Sequence, residues 1–241
     1  MKLPSAIWLA AQVKKYSAAT ATGVLALALS IGVAGCGPAH KSTNTAAQTT
    51  PSPTTSAPAP AAPAPAPVAG MNKTLDAYLK ENNVAATPIK PGDPGPTVNL
   101  PTPQGWKVAT DLPAGSYSGL IFENPKAPDN PPRILTTLTK LTGTVDPQQV
   151  LALAPNTVRN LPGYDGPTSA ERDKLDNFDS AVIGGMYDKG GKKVLAAQKT
   201  VVIPAQGALF VLEIKATGDQ ADASALMDAT SQIDKDAKIT A

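Results

Sequence analysis

Residues 37–70 hold 8 Pro, 10 Ala and 9 Ser or Thr, with one charged side chain, Lys41, and no aromatic ring. A stretch so poor in large apolar groups cannot bury enough surface to offset the entropy lost on ordering it. Whatever folds in this chain of 241 residues is therefore built from residues 71–241. The Pro-Ala repeat (APAPAAPAPAP) favours extended polyproline II at about 3.1 Å per residue, so the tract reads as a tether reaching up to roughly 100 Å. Its Thr/Ser-Pro clusters (TTPSPTTS) are candidate O-glycosylation sites.

The segment before the tether reads as an export signal. Lys2, Lys14 and Lys15 form a positive start, and Gly23 to Val33 is an apolar stretch of 11 residues. That length suits a signal peptide and is too short to span about 30 Å of hydrocarbon. Val33-Ala34-Gly35-Cys36 follows, small residues before a Cys in the manner of a bacterial lipobox. The expectation is cleavage after residue 35, with diacylglycerol on the Cys36 sulfur and fatty acyl chains such as palmitate holding the chain on the extracytoplasmic face of the cell membrane. The organisation expected is thus 1–35 signal peptide, 36–70 lipidated Cys and tether, and 71–241 a folded domain.

The single Cys, Cys36, and the single His, His40, both precede that domain. Without a thiol or an imidazole, residues 71–241 cannot assemble a Cys–His or Ser–His–Asp centre, or a zinc site of Cys and His. They carry 17 basic and 19 acidic side chains, a balance of −2, and no Lys/Arg run longer than two. That distribution does not support nucleic-acid binding, which needs a basic patch to neutralise phosphates.

Thr74 can cap a helix over Leu75–Asn82. Thr97–Leu100 fits an edge strand amid prolines, and Trp106–Val108, Gly119–Phe122 and Ile134–Leu141 fit strands separated by the Pro-rich turn 124–132. Asp146-Pro147 marks a helix start. Val150, Leu151, Ala154, Val158 and Leu161 then keep helical spacing, with Pro155 expected to kink or split the helix. A meander follows over Ala181–Tyr187, Val194–Ile203 and Ala208–Ala216, with turns at 188–191 and 204–207. Asp222 or Ser224 is expected to cap a last helix whose inner face holds Leu226, Ala229, Thr230 and Ile233. Strands between helices without regular alternation predict an α+β domain, an antiparallel sheet sandwiched by helices.

Together these residues resemble a known family. The lipobox, the Pro/Thr tether, Leu75-Asp76-Ala77-Tyr78, Gly92-Asp93-Pro94-Gly95 and Leu100-Pro101 with Pro103 before Gly105-Trp106 occur in this order. Leu141-Thr142-Gly143 before Asp146-Pro147, Asn160-Leu161-Pro162-Gly163 and Gln198-Lys199-Thr200-Val201-Val202-Ile203-Pro204 complete the series. The pattern is similar to the mycobacterial LpqN lipoprotein family, with LpqT a more distant relative. The resemblance implies a Mog1/PsbP-like α/β/α sandwich and a role in cell-envelope biogenesis. It also implies partners, trehalose-linked mycolate lipids and the RND-type transporter that exports them.

Other chemistries fit the residues poorly. The acidic run Glu171, Asp173, Asp176 and Asp179 lacks the spacing and the Gly of a calcium loop and reads as a solvated loop. Gly185 and Gly190 lie at P-loop spacing, but Gly191 stands where the Lys belongs and a strand follows, so a hairpin turn is expected. Gly115-Ser116-Tyr117-Ser118-Gly119 places Tyr117 at the nucleophile position of G-x-S-x-G. No enzyme activity, cofactor or metal is expected. Residues 71–241 contain eight aromatics, and Trp106 and Tyr117 flank Gly/Pro-rich loops with Asp129, Asn130 and Arg133 nearby. These five are the candidate ligand site, because sugar faces stack on aromatic rings and polar neighbours orient them. The expected function is a tethered, non-catalytic binding or accessory protein for envelope lipids. The alternative is a structural or protein-interaction lipoprotein without a small-molecule ligand.

Overall fold

The structure is a computed structural model, and the residues it describes are 71–241. The expected signal peptide, the Cys36 lipidation site and the tether lie outside them. Helix α1 (Leu75–Glu81) begins where Thr74 accepts a hydrogen bond from the Ala77 N–H. Strands β1 (Ala85–Ile89), β2 (Thr97–Asn99), β3 (Trp106–Val108), β4 (Ser118–Phe122) and β5 (Arg133–Thr142) follow. Pro155 lacks the N–H a continuous helix requires, and the helical segment divides into α2 (Pro147–Leu153) and α3 (Asn156–Arg159). Strands β6 (Glu171–Leu175), β7 (Phe178–Lys189), β8 (Lys192–Ala205) and β9 (Ala208–Asp219) come next. A 3-10 turn (Gln220–Asp222), α4 (Ala223–Asp236) and β10 (Lys238–Thr240) complete the domain.

Every strand pairing is antiparallel. The main sheet runs β3-β4-β5-β9-β8-β7-β6, and β1 also pairs with β5. β4 takes the first half of β5, at Arg133–Thr136, and β1 the second, at Leu138–Thr142. β2 and β10 form a separate two-stranded ribbon. The hairpin tips Gly190-Gly191 and Gln206-Gly207 have positive φ at both positions, 57° and 77° in the first and 52° and 71° in the second. That is the turn geometry whose twist matches the flanking strands.

Side chains alternate across the sheet and fill two layers. Phe210, Leu212 and Ile214 of β9 join Val201 and Ile203 of β8 and Ile134 and Leu138 of β5 beneath α4, which supplies Leu226, Ala229 and Ile233. The spacing i, i+3, i+7 puts those three on one helix face, and burying each Leu or Ile contributes about 1.5–3 kcal/mol. On the other side, Val202 and Val211 pack with Leu75 and Leu79 of α1 and Val150 and Leu151 of α2. The domain is therefore an α+β antiparallel sheet with helices on both faces.

The run Glu171–Asp179, expected as a solvated loop, is instead edge strand β6 and the turn into β7. Its alternation aims Asp173 beneath α4, where it meets Lys199 of β8. The Lys199 ammonium is fully buried, 2.7 Å from Asp173 Oδ2 and 2.6 Å from Asp234 Oδ1 of α4. Charged residues therefore form this strand because a buried cation on the interior strand β8 engages one of them. Among the described residues, no three His, Cys, Asp or Glu side chains converge in a metal-holding group.

Asp222 stands at the N-cap of α4 but makes no capping bond to it. Its buried carboxylate instead accepts from the Lys126 and Ala127 N–H groups, at 2.9 and 3.2 Å, and pins the Pro-rich loop to the helix start. At the domain's N-terminal edge, Asn72 and Asn160 bond reciprocally. Asn160 Oδ1 accepts from the Asn72 N–H at 2.9 Å, and Asn160 Nδ2 donates to the Asn72 carbonyl at 2.7 Å. Asn156 Nδ2 donates to the Lys73 carbonyl at 2.6 Å. The chain thus enters the domain held against α3. No described helix is long and apolar enough to cross a membrane.

Candidate functional site

A groove of about 440 Å³ lies between β3–β4 and one side of α4, from Ser224 to Gln232. Trp106 and Phe122, directly paired across β3 and β4, form its floor, with ring centroids 5.5 Å apart and planes tilted by 48°. Trp106 is 6% exposed, whereas Phe122 is half-buried. Ser224, Asp228 and Gln232 line the opposite wall at i, i+4 and i+8, so one stripe of α4 carries two hydrogen-bonding side chains and a carboxylate. Gln104 closes the rim. An aromatic floor with a rim of exposed donors and acceptors suits a neutral polyhydroxylated ligand such as a sugar, and its volume lies in the range of small-molecule sites.

A larger cleft of about 770 Å³ opens at the far end of the sheet, between the β8–β9 tip and the loop from β5 to α2. Its lining mixes small residues, such as Gly143, Ala205, Gly207 and Ala208, with larger aliphatic and polar ones, and has no aromatic ring. It is more open than the first groove, and its polar side chains, Lys140, Thr142, Thr144 and Gln206, have no ring beside them on which a sugar face could stack.

The five candidate residues do not form one cluster. Trp106 reaches the groove. Tyr117 is buried in the core beneath α4, and its hydroxyl accepts from the Val98 N–H at 3.3 Å, holding β2 to the sheet. Asp129 is exposed on the Pro-rich loop. Asn130 accepts from Lys189 Nζ at 3.3 Å, and its Nδ2 is buried without an acceptor among the described residues. Arg133 precedes the fully buried Ile134 in β5, so alternation turns it to the face away from Trp106. The α4 stripe escaped the sequence reading, although a polar Ser224-Asp228-Gln232 repeat opposite the apolar face of a helix was visible in the spacing.

The strongest electrostatic perturbation lies elsewhere. Burial pushes the Tyr164 phenol up to about 12, against a smaller downward pull from Arg159. Its hydroxyl donates to the Gly184 carbonyl at 3.2 Å, so this ring fastens the 161–168 loop to β7.

Comparison with known proteins places this geometry in a family. The chain is 42% identical over 173 residues to lipoprotein LpqN of Mycobacterium tuberculosis (strain ATCC 25618 / H37Rv), covering 71% of this chain and 76% of that protein. The crystal structure of LpqN, described as involved in cell envelope biogenesis of Mycobacterium tuberculosis, superposes with a TM-score of 0.69 at 40% identity. That match covers 71% of this chain and all of the crystallised one. The sequence profile described as "Probable lipoprotein LpqN" matches residues 71–240, and the chain belongs to the LpqN lipoprotein family.

Proposed function

We propose that this chain is a lipid-anchored, non-catalytic binding protein of the cell envelope. In this reading the groove between Trp106, Phe122 and α4 takes the sugar headgroup of a trehalose-linked lipid. The observation that carries it is the pairing of an aromatic floor with the Ser224-Asp228-Gln232 stripe in a groove of about 440 Å³. Sugars present apolar ring faces to aromatic groups and hydroxyls to amides and carboxylates. Anchoring through Cys36 is supported by the Val33-Ala34-Gly35-Cys36 pattern and by the lipoprotein description of the family. Envelope biogenesis is supported by the involvement described for the homologous LpqN crystal structure. An RND-type lipid transporter is the partner proposed to deliver or receive the ligand. The sheet with helices on both faces supports a Mog1/PsbP-like assignment.

Titration calorimetry of residues 71–241 with trehalose and a trehalose monoester tests the site. Saturable binding of the ester, weakened at least ten-fold in Asp228→Ala/Gln232→Ala and unchanged in Thr144→Ala at the other cleft, is the expected result. Binding insensitive to the α4 substitutions, or no binding, refutes the site. The alternative, a protein-interaction lipoprotein without a small-molecule ligand, is favoured by one observation. Val108 on edge strand β3 is 64% exposed. Val108→Asp would then reduce partner capture without affecting the ester titration.

A further inference from the structure

The side of the domain where the chain enters carries a third hollow, of about 230 Å³, between α2–α3 and the segment leading into β6. Asn156, Arg159, Thr168, Ser169 and Arg172 line it with two guanidinium groups, two hydroxyls and an amide. The alternation of β6 explains how two cations meet here without carboxylates. Glu171 and Asp173 pair with Val182 and Ser180 on the α4 side of the sheet, whereas Arg172 pairs with Ala181, which packs under α1 and α2. Lys174, next on the Arg172 side, is taken by Asp179 at 2.7 Å. Neither Arg159 nor Arg172 forms an ion pair among the described residues. Arg159 Nη1 donates to Asn156 Oδ1 at 2.9 Å, and Arg172 Nη2 reaches the Gln148 carbonyl at 3.5 Å. Each guanidinium has five N–H donors, so most of each fork remains for a ligand.

From this geometry we infer a phosphoryl-binding site. Two guanidinium forks match the oxygens of a phosphate, and Thr168 and Ser169 add neutral donors, whereas a lone carboxylate would engage only one fork. The hollow's place on the fold favours the phosphate of an anionic lipid. Arg159 and Asn156 lie on α3, the helix whose Asn156 and Asn160 hold residues 72 and 73, where the chain enters the domain. A chain anchored ahead of residue 71 would leave the domain at this edge, close to the hollow, and the lipid source of the phosphate rests on that proposed anchoring. The inference concerns a different face from the groove at Trp106 and stands without it.

The probes are inorganic phosphate, by calorimetry, and vesicles of phosphatidylcholine with or without phosphatidylglycerol, by flotation. Residues 71–241 serve as the sample, since the homologous chain aligned to this segment over its whole length crystallised. Saturable binding to the anionic vesicles, reduced about five-fold by Arg159→Gln or Arg172→Gln and roughly 30-fold by both, assigns the site to a lipid headgroup. The same losses with inorganic phosphate alone assign it to a free anion. Arg159→Lys/Arg172→Lys keeps the charge but loses the forks, and is expected to bind more weakly than the parent. Arg133→Gln, on another part of the sheet, matches one lost charge and is expected to bind as the parent does. Binding to neither probe, a double Gln variant that binds as the parent does while melting at the same temperature, or an Arg133→Gln loss equal to that of Arg172→Gln, overturns the inference.

Discussion

Replacing Lys199 with Met removes the cation at the centre of the sheet while keeping most of the side chain's length and apolar stem. Lys199 is fully buried, and its two partners, Asp173 of β6 and Asp234 of α4, are 15% and 11% exposed. The variant leaves both carboxylates in a poorly solvated space without the ammonium they share. Breaking a buried pair by removing one partner costs about 3–5 kcal/mol, because the remaining charge stays desolvated. A domain of this size is stable by roughly 5–15 kcal/mol, so the loss takes a large share of the total. With a urea m-value of about 2 kcal/mol/M, the midpoint at neutral pH falls by about 2 M. Lys199→Met/Asp173→Asn/Asp234→Asn removes all three charges and is expected to recover much of that loss, since neutral packing can equal a buried ion network. Urea titration followed by far-UV circular dichroism reads both variants. A loss under about 1 kcal/mol for the single variant, or a triple variant no more stable than the single one, would refute the reasoning.

Tyr164 sets an expectation for alkaline pH. Its folded-state value is raised above 10, so its stabilisation is complete below pH 10 and is lost as pH rises toward about 12. Tyr164→Phe should flatten that decline in a melting-temperature series, while costing about 1 kcal/mol at neutral pH for the lost hydrogen bond to Gly184. Gly185→Ala should destabilise by about 1–3 kcal/mol in chemical denaturation, because the new methyl would lie 2.6 Å from the Asp165 carbonyl oxygen and 2.7 Å from the Tyr164 ring. Asn160→Ala removes both sides of the reciprocal pair with Asn72, and faster amide hydrogen exchange at residues 72–75 is the expected readout.

The β7–β9 meander and α4 were legible in the sequence because their apolar residues repeat at the period of the element they form. The division at Pro155 and the cap at Thr74 follow from local backbone chemistry. Strand β1, Ala-Ala-Thr-Pro-Ile, left no such trace, since small residues and a proline carry little strand preference and only Ile89 is buried. Strand β6 was hidden for a different reason. Its charges look solvated until Lys199, distant in sequence, supplies a partner for one of them. The candidate site shows the same division. Trp106 was recognisable as a large ring beside a Gly/Pro loop, but its polar partners come from α4, more than 110 residues later, a proximity fixed only by tertiary packing. The separation of Arg133 from Trp106 was available in principle, since Ile134 claims the core-facing position beside it.

The asparagine clamp determines how the domain would carry mechanical load. Tension from the chain preceding Asn72 meets the four hydrogen bonds to Asn160 and Asn156 before it reaches α1. The force therefore passes into α3, 88 residues away in sequence at Asn160, instead of peeling the first helix from its end. A pull applied at residue 71 would load these bonds together, leaving the first turn of α1 shielded until they give way.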